Sequence, residues 1–326
     1  MINIEMAVMK NKIEYSIVIP VYNSSASLID LSRRLHIVFA DIMNESYEII
    51  FVDDCSQRQE TWKTLQSIAR DYKTVRAFRL ARNFGQASAV LCGLAHARGR
   101  WIVTMDDDLQ HRPEDIPLLA EKREHDVVIA RFSEKNCSYG KKLSSQIKGI
   151  LDVYLLGKPK NIMASPFRIL KKSVVESILS IQTPRPFPIA QILQVTSDLV
   201  NVDVDHQPRK YDTTNYNLKS SLSLLSNMLF NNSSFMLRAM SVTGFLIAVF
   251  SFFYGVYLII RWYLINNSVP GWTSLMVVLL GATGIIVFCL GILGEYVSRL
   301  ISTAERRPVY IVKDSIDAFE ENNDSC

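Results

Sequence analysis

Between residues 16 and 130 short apolar runs alternate with longer segments of helical periodicity, and this alternation constrains the fold more than any other feature of the chain. Residues 16–20, 47–52, 75–80, 102–105 and 126–130 read as strands, the first ended by Pro20. Between them, residues 25–43 place Leu28, Leu31, Leu35, Val38 and Ile42 at helical spacing, and residues 59–72 and 86–97 also read as helices. Another helix starts at Pro113-Glu114-Asp115, with proline and acids where a first turn favours them. Strands that alternate with helices in this way predict an α/β fold built on a doubly wound, mostly parallel, Rossmann-like sheet. No internal repeat or low-complexity segment interrupts it.

Two of the strands end in carboxylates. Residues 47–52 run directly into Asp53-Asp54, and the apolar run 102–105 breaks into Asp106-Asp107-Asp108-Leu109-Gln110. Adjacent carboxylates repel one another, so a fold tolerates such a triplet only where water, a cation or cationic side chains offset the charge. It reads either as a solvated acidic turn or as a cation site. The carboxyl ends of strands are where open α/β sheets bind ligands, and hard divalent ions take oxygen ligands there together with substrate phosphates.

Composition then separates the chain into parts. Of its 326 residues 48% are hydrophobic, and the excess lies beyond residue 235. Residues 239–265 and 272–293 are almost wholly apolar, each longer than the ~20 residues a helix needs to cross a bilayer. Trp262, Tyr263 and Trp272 stand at their far ends, where aromatic belts are expected. Arg238, Arg299, Arg306 and Arg307 flank the near ends against Arg261 on the far side, which predicts a membrane hairpin whose two ends face the side of the preceding domain. Residues 139–156 and 218–235 are amphipathic; either suits a core-facing helix, and the second, running into a span, suits the membrane interface. The expected organisation is a tail at 1–14, an α/β domain at 15–217, an interfacial helix at 218–235, a transmembrane hairpin at 236–300 and a tail at 301–326. No signal peptide pattern is visible at the amino terminus, so the α/β domain is expected in the cytosol. The five cysteines form no Cys-x-x-Cys pair and read as free thiols. A net charge of +4 without an arginine–aromatic stripe argues against nucleic acid as a partner.

With these positions placed, a resemblance becomes visible. Val18-Ile19-Pro20-Val21-Tyr22-Asn23, Val52-Asp53-Asp54-Cys55-Ser56, Arg82-Asn83-Phe84-Gly85-Gln86 and Asp106-Asp107-Asp108-Leu109-Gln110 resemble, in order and spacing, the family 2 glycosyltransferases of GT-A fold. Phe167-Arg168, Arg209 with Tyr216, the paired spans, and the ending from Leu293-Gly294-Glu295-Tyr296 to Arg307-Pro308-Val309-Tyr310 extend the match. Within that family the chain looks like the bacterial polyprenyl-phosphate (undecaprenyl-phosphate) glycosyltransferases, related to dolichol-phosphate mannose synthase.

The resemblance implies an inverting enzyme that moves a monosaccharide from a nucleotide diphosphate sugar to a polyprenyl phosphate at the cytosolic leaflet of the bacterial inner membrane, for cell-envelope glycan or lipopolysaccharide/O-antigen modification. It implies Mg²⁺ or Mn²⁺ as cofactor and a homo-oligomer, a tetramer with tails after Pro308 packed between subunits. By the same resemblance Pro20, Tyr22, Asp53, Asp54, Arg82, Gln86, Asp107 and Arg209 serve the donor, and Asp106, Asp108 and Gln110 the metal. Arg131, Lys141 and Arg168 match the acceptor-phosphate side, with Arg209 a further candidate, and Asp106, Asp108 and Arg131 are the expected catalytic set. Arginine suits bidentate phosphate binding.

Departures from the family pattern bear on mechanism and specificity. Ala164-Ser165-Pro166 stands where many relatives place an acid before the Phe-Arg pair, so no side-chain base is expected there. A phosphate monoester with a second pKa of about 6 is already a nucleophilic dianion near neutrality. Ser24 replaces a frequent Glu, Cys55 a frequent Gly, and Asp212-Thr213-Thr214-Asn215 a loop that usually carries Lys. Two other readings stay open. A processive polysaccharide synthase would carry Gln-x-x-Arg-Trp, but Ala97 and Leu258 precede the two Arg-Trp pairs. A membrane scaffold with a vestigial nucleotide site would not need the intact acidic run.

Overall fold

The computed structural model describes residues 13–132, 159, 162–181, 183, 186–204 and 308–317, with scattered positions between 253 and 300. The chain divides into two compact units, Met1–Asn217 with Pro308–Cys326, and Leu218–Arg307. In the first, β1 (Tyr15–Val21), α1 (Ala26–His36), β2 (Tyr47–Asp53), α2 (Gln59–Asp71), β3 (Val75–Leu80), α3 (Gln86–His96) and β4 (Trp101–Thr104) alternate as expected. A π-helical turn, Ile37–Ile42, extends α1, and a 3₁₀ turn, Pro113–Asp115, leads into α4 (Ile116–Ala120). There follow β5 (Val127–Phe132), β6 (Arg168–Lys171), α5 (Lys172–Ser180), α6 (Pro188–Val195), β7 (Leu199–Val204) and β8 (Val312–Asp317).

Among the described residues eight strands form one sheet in the order β7-β5-β6-β4-β1-β2-β3-β8. Alternate residues of each central strand enter different cores, which is why these strands read as continuously apolar. Ile17, Ile19, Ile49, Phe51 and Val103 pack with Leu28, Leu31 and Leu35 of α1, Trp62 and Leu65 of α2, and Leu119 of α4. Val18, Ile50, Val52 and Ile102 pack on the other face with Ala89, Val90 and Leu91 of α3, Val174 and Ile178 of α5, and Ile192 of α6. Close packing explains the small residues of α3: a Cβ on Gly93 would lie 2.3 Å from Val18 Cγ1.

Six of the described strands run in one direction, as a mostly parallel sheet requires, and two run against them, so the sheet is mixed. β1 pairs in parallel with β2 and β4, β2 with β3, and β5 with β7. β6, however, is inserted antiparallel between β4 and β5, and β8 runs antiparallel along β3. Neither was legible: β6 has four residues with cations at both ends, and β8 is Val-Lys-Asp-Ser-Ile-Asp, too polar to read as a strand. The segment that continues the chain after the second unit is thus part of this sheet, where a tail was expected. Asp317 of β8 joins a largely buried ion network at the amino-terminal end of the strands. Arg76 Nε donates to Asp317 Oδ2 at 2.9 Å and Arg76 Nη1 to Glu48 Oε2 at 3.0 Å, while Arg98 Nη2 reaches Asp317 Oδ2 at 3.0 Å.

Among the described residues no helix is long and apolar enough to cross a membrane. The expected spans at 239–265 and 272–293 lie outside the described residues except at scattered positions, and the amphipathic segments at 139–156 and 218–235 lie wholly outside them. Described helical positions of the second unit carry exposed apolar side chains, among them Leu275 at 59%, Leu290 at 59% and Leu300 at 69% exposure.

Candidate active site

β1, β2 and β3 are laid down in one direction, after which α3 carries the chain back to place β4 on the other side of β1. The crevice between the carboxyl ends of β1 and β4 is therefore the switch point where an open α/β sheet binds ligands. The loops that leave these strands each turn through a left-handed residue: Asn23 (φ 59°) after β1, Cys55 (φ 55°) after β2, Gly85 (φ 93°) after β3 and Leu109 (φ 61°) after β4. Such conformations are uncommon outside glycine and cluster at functional sites.

Hydrogen bonds lock these loops to one another. Asn23 N–H donates to Ser56 Oγ at 2.8 Å, and Asn23 Oδ1 accepts from the backbone of Gln57 at 2.9 Å and of Arg58 at 3.2 Å. Both oxygens of buried Asp54 are taken by the third loop, from Phe84 N–H at 2.7 Å and Gly85 N–H at 2.8 Å. Burial raises the Asp54 pKa, with those two N–H donors and the neighbouring Asp53 charge acting in opposite directions. Asp53 has no exposed surface; its Oδ1 accepts from Ser56 N–H at 2.9 Å. Arg79 Nε lies 3.2 Å from Asp53 Oδ2, close enough for an ion pair but outside hydrogen-bond alignment, and its guanidinium sits over Trp62. The two paired acids thus hold loops together, at the two positions where the resemblance implied donor binding. Pro20 is a buried residue inside β1, Tyr22 is exposed just beyond it, and exposed Arg82 lies over the Phe84 ring.

The acidic run follows β4 as expected. Asp106, Asp107 and Asp108 are each half-buried. Gln86 Nε2, from the start of α3, donates to Asp106 Oδ1 at 2.7 Å, and Asp108 Oδ1 accepts from Gln110 N–H at 3.1 Å. Asp107 turns towards β1, and burial pushes its pKa up to about 6; the Ser24 hydroxyl lowers it and the Asp108 charge raises it. Its Oδ2 is buried with no protein hydrogen bond. Among the described residues no three His, Cys, Asp or Glu side chains converge as a closed metal cage. The donor set is nonetheless all oxygen and holds three adjacent carboxylates. That chemistry fits a hard divalent ion completing its shell with phosphate and water.

The cations are arranged unequally. Arg168 is buried beneath the acidic run, with Nε 3.3 Å from Thr104 Oγ1; burial lowers its pKa to about 10 against the opposing pull of Asp106. It is a buried counter-charge to Asp106, at a position where the resemblance implied a contact to the acceptor phosphate. Arg131, at the end of β5, is exposed and held by Asp203 of β7, Nε to Oδ1 at 2.5 Å and Nη2 to Oδ2 at 2.8 Å. That pairing takes one edge of the guanidinium and leaves the Nη1 edge. Lys141, Arg209 and the loop at 212–215 lie outside the described residues. Segment 163–167 borders the site: Thr104 Oγ1 donates to Pro166 O at 2.6 Å, and the Asn201 amide bonds both N–H and C=O of Met163, at 2.7 and 3.0 Å. The sequence singled out neither Asn201 nor His111, which accepts the Asp106 N–H at 3.0 Å, because a lone amide or histidine carries no pattern.

A mixed α/β sheet with acidic loops at its switch point defines the class as a GT-A type α/β protein. The family model described as "Glycosyl transferase family 2" matches residues 16–179, and the chain belongs to that family. It is 31% identical over 303 residues to the undecaprenyl-phosphate 4-deoxy-4-formamido-L-arabinose transferase of Shewanella sediminis, covering 92% of this chain and 91% of that one. It is 28% identical over 313 residues to the protein of the same name from Edwardsiella ictaluri, covering 95% and 96%. The fold matches the crystal structure of Mycobacterium tuberculosis glucosyl-3-phosphoglycerate synthase with a TM-score of 0.51 at 14% identity, over 71% of this chain and 84% of that one.

Proposed function

We propose that this glycosyltransferase moves a monosaccharide from a nucleotide diphosphate sugar to polyprenyl phosphate at the cytosolic face of a bacterial inner membrane. The observation that carries the reading is the position of Asp106, Asp107 and Asp108 at the switch point, tied to the donor-side loops by Gln86 and Ser24. The names of the relatives support the lipid phosphate acceptor. The exposed apolar side chains between Leu275 and Leu300 support a membrane environment for the second unit.

Asp106 and Asp108, with Gln110, would hold Mg²⁺ or Mn²⁺, which when bound offsets the charge of the leaving nucleoside diphosphate. The chain's own residues do the rest. Asp54 fixes the backbone of the 84–85 turn, and Gln86 fixes the Asp106 carboxylate. The remaining edge of Arg131 offers N–H donors to the acceptor phosphate, whose approach past segment 163–167 meets no acid in Ala164-Ser165-Pro166. The acceptor dianion then acts as its own nucleophile, and the contribution of the site is position and electrostatics. The full chain, reconstituted with undecaprenyl phosphate and screened against nucleotide sugars, should release nucleoside diphosphate with one of them. EDTA and Asp108→Asn should each abolish transfer without releasing the protein from the membrane. Transfer that persists in both would reject the metal assignment, and no turnover with any donor would reject the enzyme reading in favour of a scaffold.

A further inference from the structure

We propose that His111 is a positioning residue that couples the acidic half of the site to its cationic half through two separable contacts. The inference rests on the glycosyltransferase reading and extends it to a residue outside the motifs.

His111 is 5% exposed and lies at the centre of three backbone segments. The left-handed turn at Leu109 (φ 61°) brings its imidazole back onto the start of the acidic run, where Nδ1 faces the Asp106 N–H at 3.0 Å. A backbone N–H only donates. Nδ1 is therefore the acceptor in this contact. One face of the ring stacks on Phe132, with centroids 5.4 Å apart and planes at 9°. Phe167 stacks on it as well, at 5.3 Å and 17°. Phe132 directly follows Arg131, and Phe167 directly precedes Arg168. Phe167 is itself fixed, its carbonyl accepting from Ala130 N–H at 2.9 Å and its N–H donating to Ser165 Oγ at 3.2 Å.

The two contacts have different chemistry and different targets. The Nδ1 hydrogen bond sets the backbone of Asp106, and through it the carboxylate that Gln86 holds. The stacked faces set the spacing between the end of β5, which carries Arg131, and the 163–167 segment. A phenylalanine would keep the stack and leave the Asp106 N–H without its acceptor. An asparagine would keep an acceptor at the δ position and remove the stack.

The two substitutions therefore separate what a merely structural residue would lose together. The full chain is reconstituted with lipid, Mn²⁺ binding is followed by EPR with Mn²⁺ alone and with UDP, and the KM for undecaprenyl phosphate is measured separately. His111→Phe should weaken Mn²⁺ about tenfold to hundredfold, the range for residues that support a metal ligand, with little change in acceptor KM. His111→Asn should retain Mn²⁺ affinity and raise acceptor KM by about tenfold. If His111→Phe does not fold, His111→Leu replaces it and should impair both quantities, while His111→Asn still impairs acceptor KM and spares Mn²⁺. A His111→Phe or His111→Asn variant that changes both quantities by the same factor, or neither, overturns the coupling role while leaving the glycosyltransferase reading intact. A wild-type chain that binds no Mn²⁺ and turns over no donor overturns both.

Discussion

Both carboxylate oxygens of Asp54 receive backbone N–H donors from the turn at Phe84 and Gly85, so in the proposed function this residue would act on the donor through a loop. Asp54→Asn replaces one acceptor oxygen by an NH₂ group that faces a donor. Hydrogen bonds to charged groups contribute about 1.5–3 kcal/mol, so KM for the nucleotide sugar should rise roughly tenfold to hundredfold with acceptor KM unchanged. An unchanged donor KM would show that the turn holds without Asp54. Asp203 acts in the same indirect way on Arg131, which it grips along one edge. Because the pair is exposed, Asp203→Asn should raise acceptor KM by about twofold to fivefold and leave donor KM alone. Equal effects on both substrates would show that Arg131 does not serve the acceptor side.

Helix α3 shows how an element is placed by what its residues lack. Its Gly93 sits so close to β1 that a Cβ would meet Val18 Cγ1 at 2.3 Å, and Val18 is a β-branched residue on a strand buried on both faces. It has no room to rotate away. Gly93→Ala should therefore destabilise the domain by about 1–3 kcal/mol, the usual cost of an overpacked core. Thermal unfolding of the single mutant and of the double mutant with Val18→Ala would check this. The second substitution removes the clashing methyls and should recover part of the loss; strict additivity would place the strain elsewhere. The first residue of the same helix, Gln86, holds Asp106.

At the scale of the whole molecule, the chain leaves the α/β domain at Asn217 and returns to it at Pro308, so one domain is closed by its last strand. The return is keyed by charge. Arg76, buried at 4% exposure, is shared between Glu48 on β2 and Asp317 on β8. Removing one partner of a buried cation is costly because its charge stays behind, but here Glu48 remains. Asp317→Ala should then cost about 1–3 kcal/mol, the value of a lost charged hydrogen bond. Hydrogen exchange should rise first along β3 and β8. Protection that falls equally throughout the sheet would mean that β8 is not a separately secured edge.

The sequence by itself determined the helices and strands of the first half and the strand ends that carry acids, because long periodic segments and charged breaks after apolar runs are local signals. The ordered motifs placed the family for the same reason: Asp54, Gln86 and Asp106 are read by spacing. Tertiary structure decided what those residues touch. It turned Asp53 and Asp54 inward to hold loops, set Arg168 beneath Asp106, and gave Arg131 a partner 72 residues away. It also inserted β6 between β4 and β5 and brought β8 back beside β3. Strands this short or this polar are strands because a neighbouring edge satisfies their backbone, and that neighbour is chosen by the folded sheet rather than by the segment.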